Sequence, residues 1–116
     1  MSITVKNGEA KAIPFQVNDS SGNGVDVSGA SDISFVVRDG YESTDTTYIS
    51  KALADFTVTS ASTGLVTVTL DTDDLAYTNI EEGNYLSELK IIFTASTDVD
   101  ISANIVFKVE RSLYSR

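Results

Sequence analysis

Residues Glu82–Phe93 read E-G-N-Y-L-S-E-L-K-I-I-F, and this stretch decides the fold. Gly83 and Asn84 give a turn. Tyr85, Leu89, Ile91 and Phe93 then point one way, with Ser87 between them. Leu86, Glu88, Lys90, Ile92 and Thr94 point the other way. A period of two is that of a strand with one buried face. The stretch predicts a central strand that opens on a tyrosine.

The flanking chain repeats the pattern. Ser2–Lys6 alternates, with Ile3 and Val5 on one face, and Asn7-Gly8 follows as a turn. In Lys11–Val17, Ile13, Phe15 and Val17 are in register. Pro14 cannot donate to a ladder, so it marks an edge strand or a strand that changes sheet there. Asn18–Gly24 is a loop by composition. Val25–Gly29 is briefly extended. Ser31–Asp39 turns Ile33, Phe35 and Val37 inward. Thr47–Leu53 is a weaker strand, with Lys51 beside Ile49 and Leu53 as an edge signal. Phe56–Thr59 and Leu65–Leu70 form a hairpin around Ser60–Gly64. Asp71–Tyr77 reads as one helical turn, with Thr72 as its N-cap, acids at its positive end and Leu75 pinning it to the core. Ile101–Glu110 closes the sheet, with Ile101, Ala103, Ile105, Phe107 and Val109 inward.

Roughly seven to nine short strands with one short helical turn predict an all-β fold, an immunoglobulin-like antiparallel β-sandwich. The 116 residues fit a single domain. Residues 1–10 are a candidate arm and residues 111–116 a polar tail.

Composition excludes several chemistries. The chain has no cysteine, so disulfides, thiol nucleophiles and thiolate zinc sites are out. Without histidine it lacks the commonest general base and transition-metal ligand. Seventeen acidic against eight basic residues give a net charge of −9, which opposes nucleic-acid binding. No apolar run approaches the ~20 residues of a membrane span. The start, M-S-I-T-V-K, lacks the basic and apolar regions of a secretory signal, so the expectation is cytoplasmic synthesis and a mature chain beginning near Met1. No catalytic constellation is visible, so the expectation is a protein that is not an enzyme and takes no cofactor.

Two kinds of candidate remain. Asp71, Asp73 and Asp74 offer alternate carboxylates for calcium, but the glycine and closing glutamate of an EF-hand loop are missing; acids at a helix start read the same residues more simply. Asp98 and Asp100 flank a turn and read as solvated charge. Among the five tyrosines, Tyr85 reads as a core or corner residue and Tyr77 as packing beside the helical turn. Tyr41 and Tyr48 are the candidates for a partner surface. Glu88 and Lys90 read as a surface ion pair.

The opening I-T-V-K-N-G-E-A-K-A-I-P-F-Q-V-N-D-S-S-G-N-G-V-D-V-S-G-A runs strand, glycine-acid, strand, D-x-x-G, then V-D-hydrophobic-S-G. I-S-F-V-V-R-D, D-F-T-V-T-S-A-S-T-G-L-V-T-V-T-L, E-E-G-N-Y-L-S-E-L-K and a final V-E-R-S-L follow. This cadence, over nearly the whole chain, resembles the N-terminal domain of the phage baseplate upper protein family and similar small virion domains. The resemblance implies a structural protein of a bacteriophage virion, made in the host cytoplasm. Its partners would be other virion proteins and further copies of itself, as an adaptor, decoration or fibre-attachment subunit. Addition of Ser2–Lys6 or Arg111–Arg116 to a neighbour's sheet would bring Ile3, Val5, Leu113 and Tyr114 into the partner surface. The second expectation is a surface module that recognises carbohydrate or protein through its loops.

Overall fold

The computed structural model describes residues 2–19, 21–40, 45–93 and 101–111. It contains eight strands: β1 (Ser2–Lys6), β2 (Lys11–Gln16), β3 (Ala30–Arg38), β4 (Thr47–Lys51), β5 (Phe56–Ser60), β6 (Leu65–Leu70), β7 (Gly83–Phe93) and β8 (Ile101–Glu110). A single 3₁₀ turn, Leu53–Asp55, separates β4 from β5. It takes Leu53 out of the predicted strand and leaves it exposed.

The strands form two facing sheets, one ordered β1-β8-β7-β3-β4 and the other β2-β6-β5. Relabelled by position, the first is A′GFCC′ and the second BED, the arrangement of a variable-type immunoglobulin sandwich. The expected strand count and sandwich both hold. One pairing departs from an all-antiparallel sheet: β1 runs parallel to β8, with Ile3 opposite Phe107 and Val5 opposite Val109. A parallel pair needs a long connection, and here nearly the whole chain supplies it.

Asn7-Gly8 is therefore no hairpin. It carries the chain from one sheet to the other, and Gly8 takes a φ of 79° that glycine adopts at little cost. The sheet change falls there rather than at Pro14, which sits on the edge strand β2 opposite Thr67. Lys51 likewise lies on an edge strand, as its sequence context indicates.

Alternation puts one face of every long strand into a common core. Ile33, Phe35, Val37, Val66, Val68, Leu70, Ile91 and Phe107 are almost wholly buried. Phe35 is the centre. Its ring packs against Phe15 of the opposite sheet at 5.6 Å and against Phe107 of its own at 6.1 Å, both tilted. Such pairs typically contribute about 0.5–1.5 kcal/mol beyond the area they bury. Ala103 breaks the β8 pattern and is exposed.

Ile3 and Val5 are 5% and 1% exposed, so both belong to this core and neither faces a partner. β1 is a strand of the domain's own sheet rather than an arm awaiting a neighbour. Its edge is also partly covered, because the Lys11 ammonium donates to the Thr4 carbonyl at 3.0 Å.

Candidate binding site

The site lies at one end of the sandwich, where β4, the loop before β7 and the start of β7 meet. The loop is ordered by its own acids. The Asp74 amide donates to Asp71 Oδ1 at 2.8 Å, and the Asp71 amide donates to Asp74 Oδ2 at 2.9 Å. Asp71, not Thr72, is thus the cap: its backbone carbonyl also accepts from the Leu75 amide at 3.4 Å, the first bond of the turn. The hydrogen bond from the Asp74 amide, together with nearby Lys51, holds the Asp71 carboxyl below its usual value against the opposing effect of desolvation. Leu75 and Ile80 anchor the loop in the core.

Two cross-links tie this loop to the sheets. The Lys51 ammonium pairs with Asp74 Oδ2 at 2.8 Å. Desolvation lowers the Lys51 pKa, but the Asp74 carboxylate, helped by Asp55 and Asp71, more than offsets this and leaves it raised. On the other side Asn7 is 2% exposed. Its Nδ2 donates to the carbonyls of Leu75 at 3.2 Å and Ile80 at 2.7 Å.

Tyr85 enters from the start of β7, and its hydroxyl donates to the Glu81 carbonyl at 2.7 Å. A tyrosine at the start of the F strand, bonded back a few residues upstream, is a tyrosine corner. Tyr48 arrives by a backbone irregularity. Val37 pairs with Ile49 and Arg38 with Thr47, so Tyr48 is the extra residue of a β-bulge. A bulge re-aims a side chain. Here it lays the Tyr48 ring edge-on to Tyr85, with centroids 5.0 Å apart at 70°. The Tyr48 hydroxyl donates to Asp39 Oδ2 at 3.2 Å. Asn79 Nδ2 secures the Tyr48 carbonyl at 3.1 Å and the Asp74 carbonyl at 2.8 Å.

Together Tyr48, Tyr77, Thr78, Asn79, Glu81 and Tyr85 line an open depression. Both characterised hydroxyls hold their protons more tightly than usual. Desolvation comes first for each, followed for Tyr48 by the Asp39 and Glu81 carboxylates and for Tyr85 by Tyr48, Glu81 and Asp39. The depression is aromatic, acidic at its rim, and braced from three directions.

The other sequence candidates fall differently. Asp71 and Asp74 spend their carboxylates on the cap and on Lys51, and no group of three potential ligands converges on a metal position among the described residues. Tyr41, Leu113, Tyr114, Asp98 and Asp100 lie outside the described residues. Glu88 and Lys90 share the outer face, but the ion pair found among the described residues is that of Lys51 with Asp74. Tyr48, read from the sequence as a surface residue, is half-buried and packs against the core beside Tyr85, and with Tyr77 the two line the depression. The bulge that gathers them has no simple sequence signal. The corner did have one, a tyrosine near the start of a strongly alternating run, although Gly83 and Asn84, expected as a turn, already pair with Val109 and Lys108 as the first residues of β7.

No family model matches the chain, and no curated protein matches it. Among solved structures, a chain of the NK cell receptor Nkp44 aligns over 94% of this chain and 96% of its own, at 14% identity and a TM-score of 0.48. A chain from a structure of T cell specificity and activation by the bacterial superantigen toxic shock syndrome toxin-1 aligns over 94% and 92%, at 17% identity and a TM-score of 0.46.

Proposed function

We propose that the chain is a non-enzymatic structural protein of a bacteriophage virion. It would serve as an adaptor, decoration or fibre-attachment subunit of the tail or baseplate, neck or capsid. The resemblance in turn and strand cadence supplies the virion. The observation that carries the docking role is the outer face of the five-stranded sheet. There Val106 is 53% exposed, opposite Leu86 on β7. Val36, Leu86 and Asn104 line a depression beside it. Val36, Leu86 and Val106 thus place apolar surface side by side among the polar groups of this face, and an apolar patch rimmed by polar residues suits a surface covered by a neighbour.

The test is incorporation. In particles purified from cells carrying the gene, the chain is expected at a fixed ratio to the other virion proteins. A Val106→Asp variant is expected to fold with an unchanged urea midpoint and to be lost from particles. A chain that never copurifies with particles would sink the reading.

The tyrosine-lined depression favours a second reading, a surface module that recognises carbohydrate or protein. That reading gains if the free chain captures a ligand through the depression while being absent from particles.

A further inference from the structure

We propose that the depression formed by Tyr48, Tyr77, Tyr85, Asn79 and Glu81 is a recognition site for a cationic side chain, an arginine or lysine presented by a partner protein. The site is separate from the outer sheet face and stands whether or not the chain is part of a particle.

The hydrogen-bond inventory of the walls argues for this ligand. Tyr48 donates its hydroxyl proton to Asp39, Tyr85 donates to the Glu81 carbonyl, and Asn79 gives its amide protons to two carbonyls. The donors of these three side chains are spent within the protein. What they can still offer a visitor are oxygen lone pairs and ring surfaces. A guanidinium has five donors and no acceptor, and an ammonium has three donors and no acceptor. Either matches these three side chains, and the Tyr77 and Thr78 hydroxyls that complete the wall can accept from it as well. A sugar hydroxyl is both donor and acceptor, and Tyr48, Tyr85 and Asn79 have no proton left to donate to it.

Charge points the same way. Glu81 lines the depression, and Asp39 sits behind the Tyr48 hydroxyl. Among the described residues, no cationic side chain lines the site. The cation on the strand that carries Tyr48, Lys51, is already held by Asp74. The negative field is felt at both hydroxyls, whose protons Asp39 and Glu81 help to retain. Tyrosine faces attract cations through the ring quadrupole, and the attraction grows as water is excluded. The net charge of −9 adds long-range steering toward a basic partner.

The rings are also held before any ligand arrives. The bulge aims Tyr48, the corner bond fixes Tyr85, and Asn79 clamps the Tyr48 backbone. A site already in its bound geometry spends little conformational entropy on binding.

The experiment is a titration of the isotopically labelled full chain, followed by amide chemical shifts. The probes are a blocked Gly-Arg-Gly peptide, its lysine counterpart, its citrulline counterpart and a neutral oligosaccharide. Citrulline keeps the shape of arginine and removes the charge. Saturable shifts at Tyr48, Asn79, Glu81 and Tyr85 are expected with the two cationic peptides. Citrulline is expected to bind at least about fivefold more weakly, and raised salt should weaken the cationic peptides alone. Glu81→Gln should weaken the arginine peptide about two- to fivefold, while keeping the backbone carbonyl that Tyr85 needs. Tyr77→Ala should weaken it too, by removing a ring from the wall. Equal binding of citrulline, preferential saturation by the oligosaccharide, or no saturable shift at these amides would each overturn the proposal. None of these outcomes bears on particle incorporation, so the two readings fail separately.

Discussion

At the scale of single residues, Asn7 shows how much one buried polar group can hold. Its backbone amide donates to the Glu110 carbonyl at 3.0 Å, which fixes it beside the end of β8. Its side-chain amide closes two carbonyls of the loop that carries the binding site. Removing the side chain takes this donor from the Ile80 carbonyl, whereas the Leu75 carbonyl keeps the Gly8 amide at 2.8 Å, and a buried acceptor left without its donor costs about 1–3 kcal/mol. Asn7→Ala is therefore expected to lower unfolding stability by that amount in a urea titration, although Asn-Gly is usually read as a solvent-facing turn. Loss of only a few tenths would mean that water replaces the amide at Ile80. The pair was legible as a turn because Asn and Gly tolerate tight backbone geometry. Its clamping role was not, because the partners lie 68 and 73 residues away. Tyr85 was easier, since its partner is four residues back and the corner is a local motif.

Among the elements, strands were the readable part. β3, β6, β7 and β8 alternate between a buried and a solvent face, and burial of that face is what fixes their register. Less readable were the places where pairing and periodicity part company. The bulge at Tyr48 shifts one residue against its neighbours, and β1 pairs with the strand most distant from it in sequence. The segment before β7 was expected as a helical turn capped by Thr72, but it folds as hydrogen-bonded turns with no helical element, held by Asp71. Thr72 and Asp71 are both good capping types, and only the fold decides between them by letting Asp71 and Asp74 bond each other's amides. Asp71→Ala is accordingly expected to lower the thermal midpoint, whereas Thr72→Ala leaves it nearly unchanged. Acid should act like the first substitution. The folded-state pKa of Asp71 is depressed, so its contribution is present above the usual aspartate value near 3.8 and is lost as pH falls through the lower folded value. Equal midpoints for the two variants would return the cap to Thr72.

For the whole molecule, the sandwich was legible because its core follows from alternation in every long strand, while the site was legible only in part. Tyr48 stood out as a surface tyrosine, but its neighbours Tyr77, Asn79 and Glu81 converge on it through loop geometry that no periodicity encodes. That convergence gives the protein a predictable alkaline weakness. Tyr48, Tyr85 and Lys51 are all raised in the folded state, the tyrosines by desolvation and nearby carboxylates, and Lys51 by Asp74 against its own desolvation. Each group thus binds its proton more tightly folded than unfolded. Their stabilisation is complete below the ordinary values of 10.0 for tyrosine and 10.5 for lysine, and it is lost as pH rises through the folded values. Above pH of about 10 the unfolded chain releases tyrosine protons that the folded chain retains, and stability falls. A Tyr48→Phe, Tyr85→Phe double variant lacks those two protons in both states. Its stability at neutral pH should be lower, because the bonds to Asp39 and Glu81 are gone, but its fall with alkaline pH should be shallower. Urea midpoints measured across that range read the two slopes directly. Parallel slopes would show that these hydroxyls titrate alike in both states, and that the carboxylates around the depression exert no field on its rings.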